Sequence, residues 1–319
     1  MGFAMLATLK EGVKSWRVTI VHAQNGVQTE FSGLAPVPPA IVWDGRDRTG
    51  FKTAEEGLYT AALRVEYFKG NLAESASAPF RLVVNPPRIS VSLSPLPFSP
   101  DNDGSNDELE IGLKIESVVP LASWELRILD PAEHPFNRFA GKGAPSERIL
   151  WDGTSEVGEL VQSAEDYPLL ITIRDELGLA STARSLIPID ILVLRDGEQL
   201  KVRIASITFA PDTAAKNAAT IRRLAEVFKK YDRYRILIEG HANLVNWDDP
   251  LKAKREQEQE LIPLSKLRAD SIRDALVQQG IEARRITTTG VGAAQPILPF
   301  DDLDNRWKNR RVEFILTRE

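Results

Sequence analysis

Bond-making side chains are sparse in this 319-residue sequence. It has no cysteine, which removes thiolate nucleophiles, disulfides and thiolate metal sites together. Its histidines, His22, His134 and His241, lie far apart in the chain, so a histidine metal site has no local support and no metal is expected. No Ser-His-Asp set has a local signature. The run Gly290-Val291-Gly292-Ala293-Ala294-Gln295-Pro296 lacks both the order of a phosphate loop and the helix that follows one, and reads as a turn. The chain is therefore expected to be no enzyme and to use no cofactor. What stands out instead is positive charge near the C-terminus. Arginines cluster at 284, 285, 310 and 311, and residues 196–319 carry 22 basic against 19 acidic side chains, where residues 1–195 carry 18 against 26. That local excess points to an anionic ligand or partner surface. The whole-chain net charge of −5 gives no electrostatic case for nucleic acid.

Asp101, Asp103 and Asp107 in SPDNDGSNDEL alternate as the oxygens of a calcium loop do, with Gly104 at the turn. The acidic residue that would close an EF-hand loop falls on Gly112, so an Asx-rich turn is the expected reading and calcium the alternative.

The elements that carry these residues begin with an internal repeat. Ser15-Trp16 recurs as Ser123-Trp124, Ile41-x-Trp43-Asp44-Gly45 as Ile149-x-Trp151-Asp152-Gly153, and Gly50, Tyr59 and Gly70 as Gly158, Tyr167 and Gly178. All pairs share one offset, about a hundred residues, without a gap. Within each copy, runs such as WRVTIV and YPLLITIR are rich in β-branched and aromatic residues and are bounded by Gly, Pro and Asp, which predicts strands. Units of this size and spacing predict Ig-like sandwiches. The segment WDGRDRTGFKTAEEGLYTAALRV also resembles the Ig-like modules of bacterial flagellar hook-capping and cell-surface proteins. The stretch LSPLPFSPDNDGSNDELEIGLKI has no room for a counterpart ahead of the first copy, so that copy is read as N-terminally truncated, with a signal sequence or lipid anchor expected outside this chain. No window reaches the 18 or so apolar residues of a spanning helix.

From about residue 196 the pattern alternates strands and helices. KVRIASITF predicts a strand, and Pro211-Asp212-Thr213 a helix start. The helix that follows presents Ile221, Leu224, Ala225 and Phe228 on one face. Next come the strand RYRILIEG, the helix LSKLRADSIRDALVQQG closed by Gly280, and the strands RRITTTG and RRVEFILT. A small sheet with two helices on one face is the natural packing.

The order ITFAPDTA, IEGHAN, LSKLRADSIRDAL, GVGAAQP and NRRVEFIL resembles the OmpA-like C-terminal domain, a module that grips peptidoglycan. The resemblance implies noncovalent binding of a diaminopimelate-type stem peptide. An Asp in a Gly-His-Thr-Asp motif takes the stem's amino group, and the Arg of Leu-Ser-x-x-Arg-Ala takes its carboxylate. By position these fall on Asn243 and Arg268, so the arginine is present and the carboxylate has become an amide. A carboxylate makes the stronger, charge-assisted bond to an ammonium; its loss costs about ten-fold in affinity. Arg310 and Arg311 are either ligand contacts or partners of Glu239 and Glu313, with one of them expected to be structural. The resemblance makes His241 structural. The loop from Asn243 to Leu264 is about twice the usual length, its KAKREQEQEL run predicts a short extra helix, and Asp248 or Asp249 is a candidate to replace the lost carboxylate.

The sequence thus predicts a multidomain chain: two tandem all-β Ig-like sandwiches over residues 1–88 and 89–195, then an α/β OmpA-like domain over 196–319. The expected function is a non-enzymatic periplasmic envelope protein, associated with the outer membrane through a segment outside this chain. Its stem-peptide site comprises Asn243, Arg268 and Arg310, with peptidoglycan binding weakened or lost. The alternatives are an envelope scaffold whose Ig-like domains bind other envelope proteins, and a fully working tether using Asp248 or Asp249.

Overall fold

A computed structural model describes residues 1–50, 54–205 and 214–318 of the chain. The described chain divides into two compact units. One comprises Met1–Arg88 with Glu116–Ala122 and Arg174–Ser181; the other comprises Ile89–Ile115, Ser123–Ile173 and Thr182–Glu319.

The N-terminal strands are β1 (Gly2–Ala4), β2 (Val13–His22), β3 (Gly26–Leu34), β4 (Ala40–Val42), β5 (Gly57–Tyr67), β6 (Leu72–Ala76) and β7 (Phe80–Leu82). Sheet order is β3-β2-β5-β6, with β7 also on β5, and β1 pairs β4 separately. Val18, Ile20, Trp43, Tyr59 and Ala61 are buried together, with Phe3 and Phe80 against them.

The next strands are β8 (Arg88–Ser94), β9 (Leu109–Glu116), β10 (Leu121–Leu129), β11 (Pro135–Lys142), β12 (Arg148–Trp151), β13 (Asp166–Asp175) and β14 (Ala180–Pro188). They form sheets of order β11-β10-β13-β14 and β12-β9-β8. Phe136 on β11 meets Trp151 on β12 edge-on at 6.3 Å, so aromatic contact joins the two sheets.

Trp-Asp-Gly makes the same local bonds in both places. Trp43 Nε1 donates to Arg46 O at 2.7 Å, and Trp151 Nε1 donates to Thr154 O at 2.8 Å. Asp44 and Asp152 each accept the backbone N–H two residues on, and Gly45 and Gly153 take φ of 83° and 81°. An Asx turn needs that carboxylate, and its next residue needs the left-handed freedom of glycine.

The C-terminal part contains β15 (Leu194–Asp196), β16 (Gln199–Ile204), α1 (Ala214–Lys230), β17 (Tyr234–His241), α2 (Pro250–Glu256), α3 (Ile262–Gln278), β18 (Ile286–Gly292) and β19 (Val312–Arg318). Pro211-Asp212-Thr213 lies outside the described residues. The sheet runs β15-β16-β19-β17-β18; β17 and β18 are parallel and the other pairs antiparallel, a mixed sheet. The boundary expected at residues 195/196 falls inside the β15–β16 hairpin, whose turn uses Gly197 at φ 62°. Val202, Ile236, Ile238, Phe314 and Leu316 from the sheet bury against Leu224 and Phe228 of α1 and Ile272 and Leu276 of α3. Each such side chain contributes about 1.5–3 kcal/mol when fully buried. Ala164 and Ile191, from the preceding β region, belong to the same core.

Candidate functional site

Two close approaches set the position of α3. A Cβ on Gly240 would overlap the Ser265 carbonyl oxygen, and one on Gly290 would overlap that of Ile262, so the close approach of α3 to β17 and β18 needs glycine at both positions. Ser265 is fully buried; its hydroxyl donates to Leu261 O at 2.7 Å and accepts from Gly292 N at 3.0 Å. This bond fixes the helix three residues before Arg268.

The insert is a helix, as its composition predicts. α2 runs through a π-helical turn, Gln257–Leu261, directly into α3. The turn aims Gln257 at the end of β18, where its side chain donates to Val291 O and accepts from Ala293 N. Glu256 is buried and accepts from Val245 N, Asn246 N and the Asn246 amide, which hold its pKa down against burial. The enlarged loop is thereby tied down on both sides. Asp249 does not supply the missing carboxylate, because it caps α2, accepting from Leu251 N and Lys252 N. Asp248 is exposed and has no hydrogen bond or ion pair among the described residues.

Of the sequence-predicted residues, Asn243 lies just past the C-terminal end of β17, Arg310 just before β19, and Arg268 in the first half of α3. His241 N donates to Arg311 O at 2.9 Å and Ala242 N to Gly292 O at 2.8 Å, so Asn243 leaves the sheet between β18 and β19. Asn243 is engaged at both ends: its Nδ2 donates to Leu244 O, and its Oδ1 accepts from Asn309 Nδ2 at 3.1 Å. Asn309 is fully buried and makes four bonds, accepting from Ile297 N and Leu298 N and donating to Leu298 O and Asn243 Oδ1. Arg310 follows it and is exposed. Arg268 is half-buried, and burial together with the nearby Arg310 guanidinium lowers its pKa, although it remains a cation. Neither Arg268 nor Arg310 pairs with a carboxylate among the described residues. Two guanidinium groups near each other, one partly desolvated, have the charge and the planar donors that a carboxylate or similar anion requires.

Arg311 takes the other role. It is buried and donates to Glu313 Oε1 at 2.6 Å, as Arg203 does at 3.0 Å. Burial raises the Glu313 pKa, but these guanidinium groups and Lys201 bring it to about 2. Glu239, burdened by burial and by Glu313, has a raised pKa. His241 is 1% exposed with neither ring nitrogen hydrogen-bonded, and burial beside Arg311 lowers its pKa to about 4, so it is neutral at pH 7. The carboxylates of Glu239 and Glu313 stand close to His241, but the cationic groups of Lys201, Arg203 and Arg311 occupy that neighbourhood and oppose a metal ion there. In the Asp101–Asp107 loop, Asp103 and Asp107 accept backbone N–H groups of their own turn, as an Asx-rich turn requires.

Residues 208–310 match the model of the OmpA family. This segment is an OmpA family domain. Among curated proteins, the chain is 31% identical over 129 residues to the probable lipoprotein YiaD of Escherichia coli (strain K12), covering 39% of this chain and 54% of that one. It is 32% identical over 114 residues to the peptidoglycan-associated lipoprotein of Rhizobium meliloti (strain 1021), covering 36% and 59%. The chain thus spans between half and two thirds of these relatives' lengths. Among solved structures it is similar to the periplasmic domain of Helicobacter pylori MotB (residues 90-256), with 23% identity, TM-score 0.33, and coverage of 40% of this chain and 78% of that one.

Within the OmpA family domain, sequence reading located Asn243, Arg268 and Arg310 but missed Asn309 and Glu256. Asn309 stands in the quoted NRRVEFIL motif, directly before Arg310, and its position there was the available signal. Glu256 had none, because its partners depend on how the insert folds back.

Proposed function

We propose that this chain is a non-enzymatic periplasmic envelope protein whose OmpA family domain binds the carboxylate of a peptidoglycan stem peptide and binds it weakly. The carrying observation is the contrast within one site. Arg268 lies half-buried beside Arg310 with no carboxylate partner among the described residues, while Asn243 has both ends of its amide engaged. Such a site offers charge to an anion and nothing comparable to an ammonium. The relatives support the envelope setting, one of them being named a peptidoglycan-associated lipoprotein. In this reading residues 1–88 and 89–195 are Ig-like sandwiches serving as a spacer or as a surface for other envelope proteins, and the protein is associated with the outer membrane.

The test is co-sedimentation with purified diaminopimelate-type sacculi. The parent chain should bind weakly, Arg268→Ala should abolish binding, and Asn243→Asp should strengthen it about ten-fold. Parent binding indifferent to Arg268→Ala would remove the stem-peptide assignment.

A further inference from the structure

The short helical turn Arg306–Asn309 and the two arginines after it do more than present Arg310. Lys308 is 4% exposed, and its ammonium lies 2.6 Å from Glu159 Oε1. Glu159 belongs to the loop between β12 and β13, outside the OmpA family domain and 149 residues away. The next residue, Asn309, holds Ile297, Leu298 and Asn243; Arg310 neighbours Arg268; and Arg311 O receives the N–H of His241 at the root of the Asn243 loop. Four consecutive side chains or carbonyls thus join a distant carboxylate to every part of the candidate site.

The surroundings of Lys308 make the carboxylate consequential. It borders a cavity of about 250 Å³ walled by Leu160, Leu192, Ile297 and Leu298 together with Gln162 and the cationic Arg203, and among the described lining residues Glu159 is the one carboxylate. An ammonium in such a place needs a partner; stripped of it, the group must draw in water or swing out. Either movement displaces the residue next to Asn309 and disturbs the backbone of Ile297 and Leu298, which line the same cavity. The same β region is also fixed to α1, where Arg223 bonds the Asp190 carboxylate and donates to Ile189 O at 3.0 Å, and Ile191 enters the shared core. The loop bearing Glu159 therefore has a firm base from which to hold the turn.

We infer that Glu159 is a positioning residue of the anion site: by pairing with buried Lys308 it fixes the Arg306–Arg311 turn that seats Asn309 and aims Arg310 toward Arg268. The site of this chain is then completed from outside its OmpA family domain. The link to ligand binding rests on the stem-peptide reading given above, whereas the positioning itself does not.

The experiment uses the full chain with Glu159→Gln, the double variant Glu159→Gln with Lys308→Met, and Glu156→Gln as a control on the same loop. Amide hydrogen exchange is read at Ile297 and Leu298, both bonded to Asn309 Oδ1. Exchange should quicken at least ten-fold in Glu159→Gln, return toward the parent rate in the double variant, where no buried charge is left unpaired, and stay unchanged in Glu156→Gln. Sacculus binding should fall at least five-fold in Glu159→Gln, and adding Arg310→Ala to that variant should cost less than it does in the parent. Unchanged exchange at Ile297 and Leu298 overturns the inference whatever the binding data show. Quickened exchange in a chain that never binds sacculi upholds the positioning and removes the stem-peptide reading alone. A variant that fails to fold is recognised by its circular dichroism, and Glu159→Asp, which keeps the charge but shortens its reach to Lys308, then decides the matter: exchange at Ile297 and Leu298 quicker than in the parent upholds the inference and unchanged exchange overturns it.

Discussion

The two regions that carry Trp-Asp-Gly are built alike and end differently. Positions 108 apart take matching places: β2, β3, β5 and β6 correspond to β10, β11, β13 and β14 in the same sheet order. Even a change of residue type keeps the role. His22 Nδ1 accepts from Gln24 N and Asn25 N, while Asp130 Oδ1, at the matching position, accepts from Ala132 N and His134 N. The exits diverge. The first region leaves through Leu82 and Val83, with Val84 N and Asn85 N donating to Glu56. The second leaves through Asp190 and Ile191, which bind Arg223 and enter the core of the OmpA family domain. The first region accordingly forms most of one compact unit, and the second shares a unit with the C-terminal sheet. The lesson is that strand arrangement follows local pattern, whereas the partnership of a module is decided by a few residues at its exits and loops.

The largest test of this contrast removes the anchors. Trp43→Ala and Trp151→Ala should each cost about 3–5 kcal/mol. In calorimetry the first should lower one transition and the second a different one, which also reports loss of the OmpA family domain. A single transition moved equally by both would erase the distinction between the units.

Ile191→Ala should cost about 3 kcal/mol, since the side chain is buried in the shared core, and Val83→Ala at the matching position less than about 1 kcal/mol, since it is only partly buried. Comparable losses measured by denaturant unfolding would contradict the divergence of the exits.

Acid gives a third separation. Folded His241 takes up a proton only near pH 4 instead of 6.5, so the unfolded chain binds more protons between those values and stability falls as pH drops through that window. At about 1.4 kcal/mol per unit the loss approaches roughly 3 kcal/mol. Glu239, whose pKa is raised, works in the opposite direction and offsets part of it, while Glu313, whose folded pKa is held at about 2, keeps its contribution above the ordinary value of 4.5 and loses it as pH falls from there toward 2. The transition containing the OmpA family domain should therefore drop from pH 6.5 to 4.5 ahead of the other, and His241→Gln should flatten that dependence.

The smallest effect is expected to be a shared one. Gly33 and Gly141 lie under Trp16 and Trp124, where an added Cβ would come within 2.8 Å of each indole. Gly33→Ala and Gly141→Ala should cost about 1–2 kcal/mol apiece, matched within error in thermal melts. Unequal costs would mark a difference in packing that the matching bonds do not reveal.

Features held by bonds between near neighbours were open to sequence reading. The Trp-Asp-Gly turn closes on itself within a few residues, and Gly280 ends α3 at φ 90° as a helix-terminating glycine should. The extra helix of the insert was legible from composition, but its use was not. Asp249 was free to be imagined at the site until its cap became visible, and Glu256 and Gln257 gained their partners only through the π-helical turn.

The sequence alone determined the β-then-α/β order, the register of the repeated turns, the absence of thiol chemistry and the placing of the amide of Asn243 where an acid is expected and of Arg268 where an arginine is expected. These follow from residue type, spacing and local hydrogen bonding. Only the tertiary structure decided that Asn243 is consumed by Asn309, 66 residues away, that Arg311 is structural while Arg310 stands beside Arg268, and that Lys308 answers to Glu159. Burial is the physical reason: a charge or amide removed from water must find its partner wherever the fold brings one, and that distance is not written in the neighbouring residues.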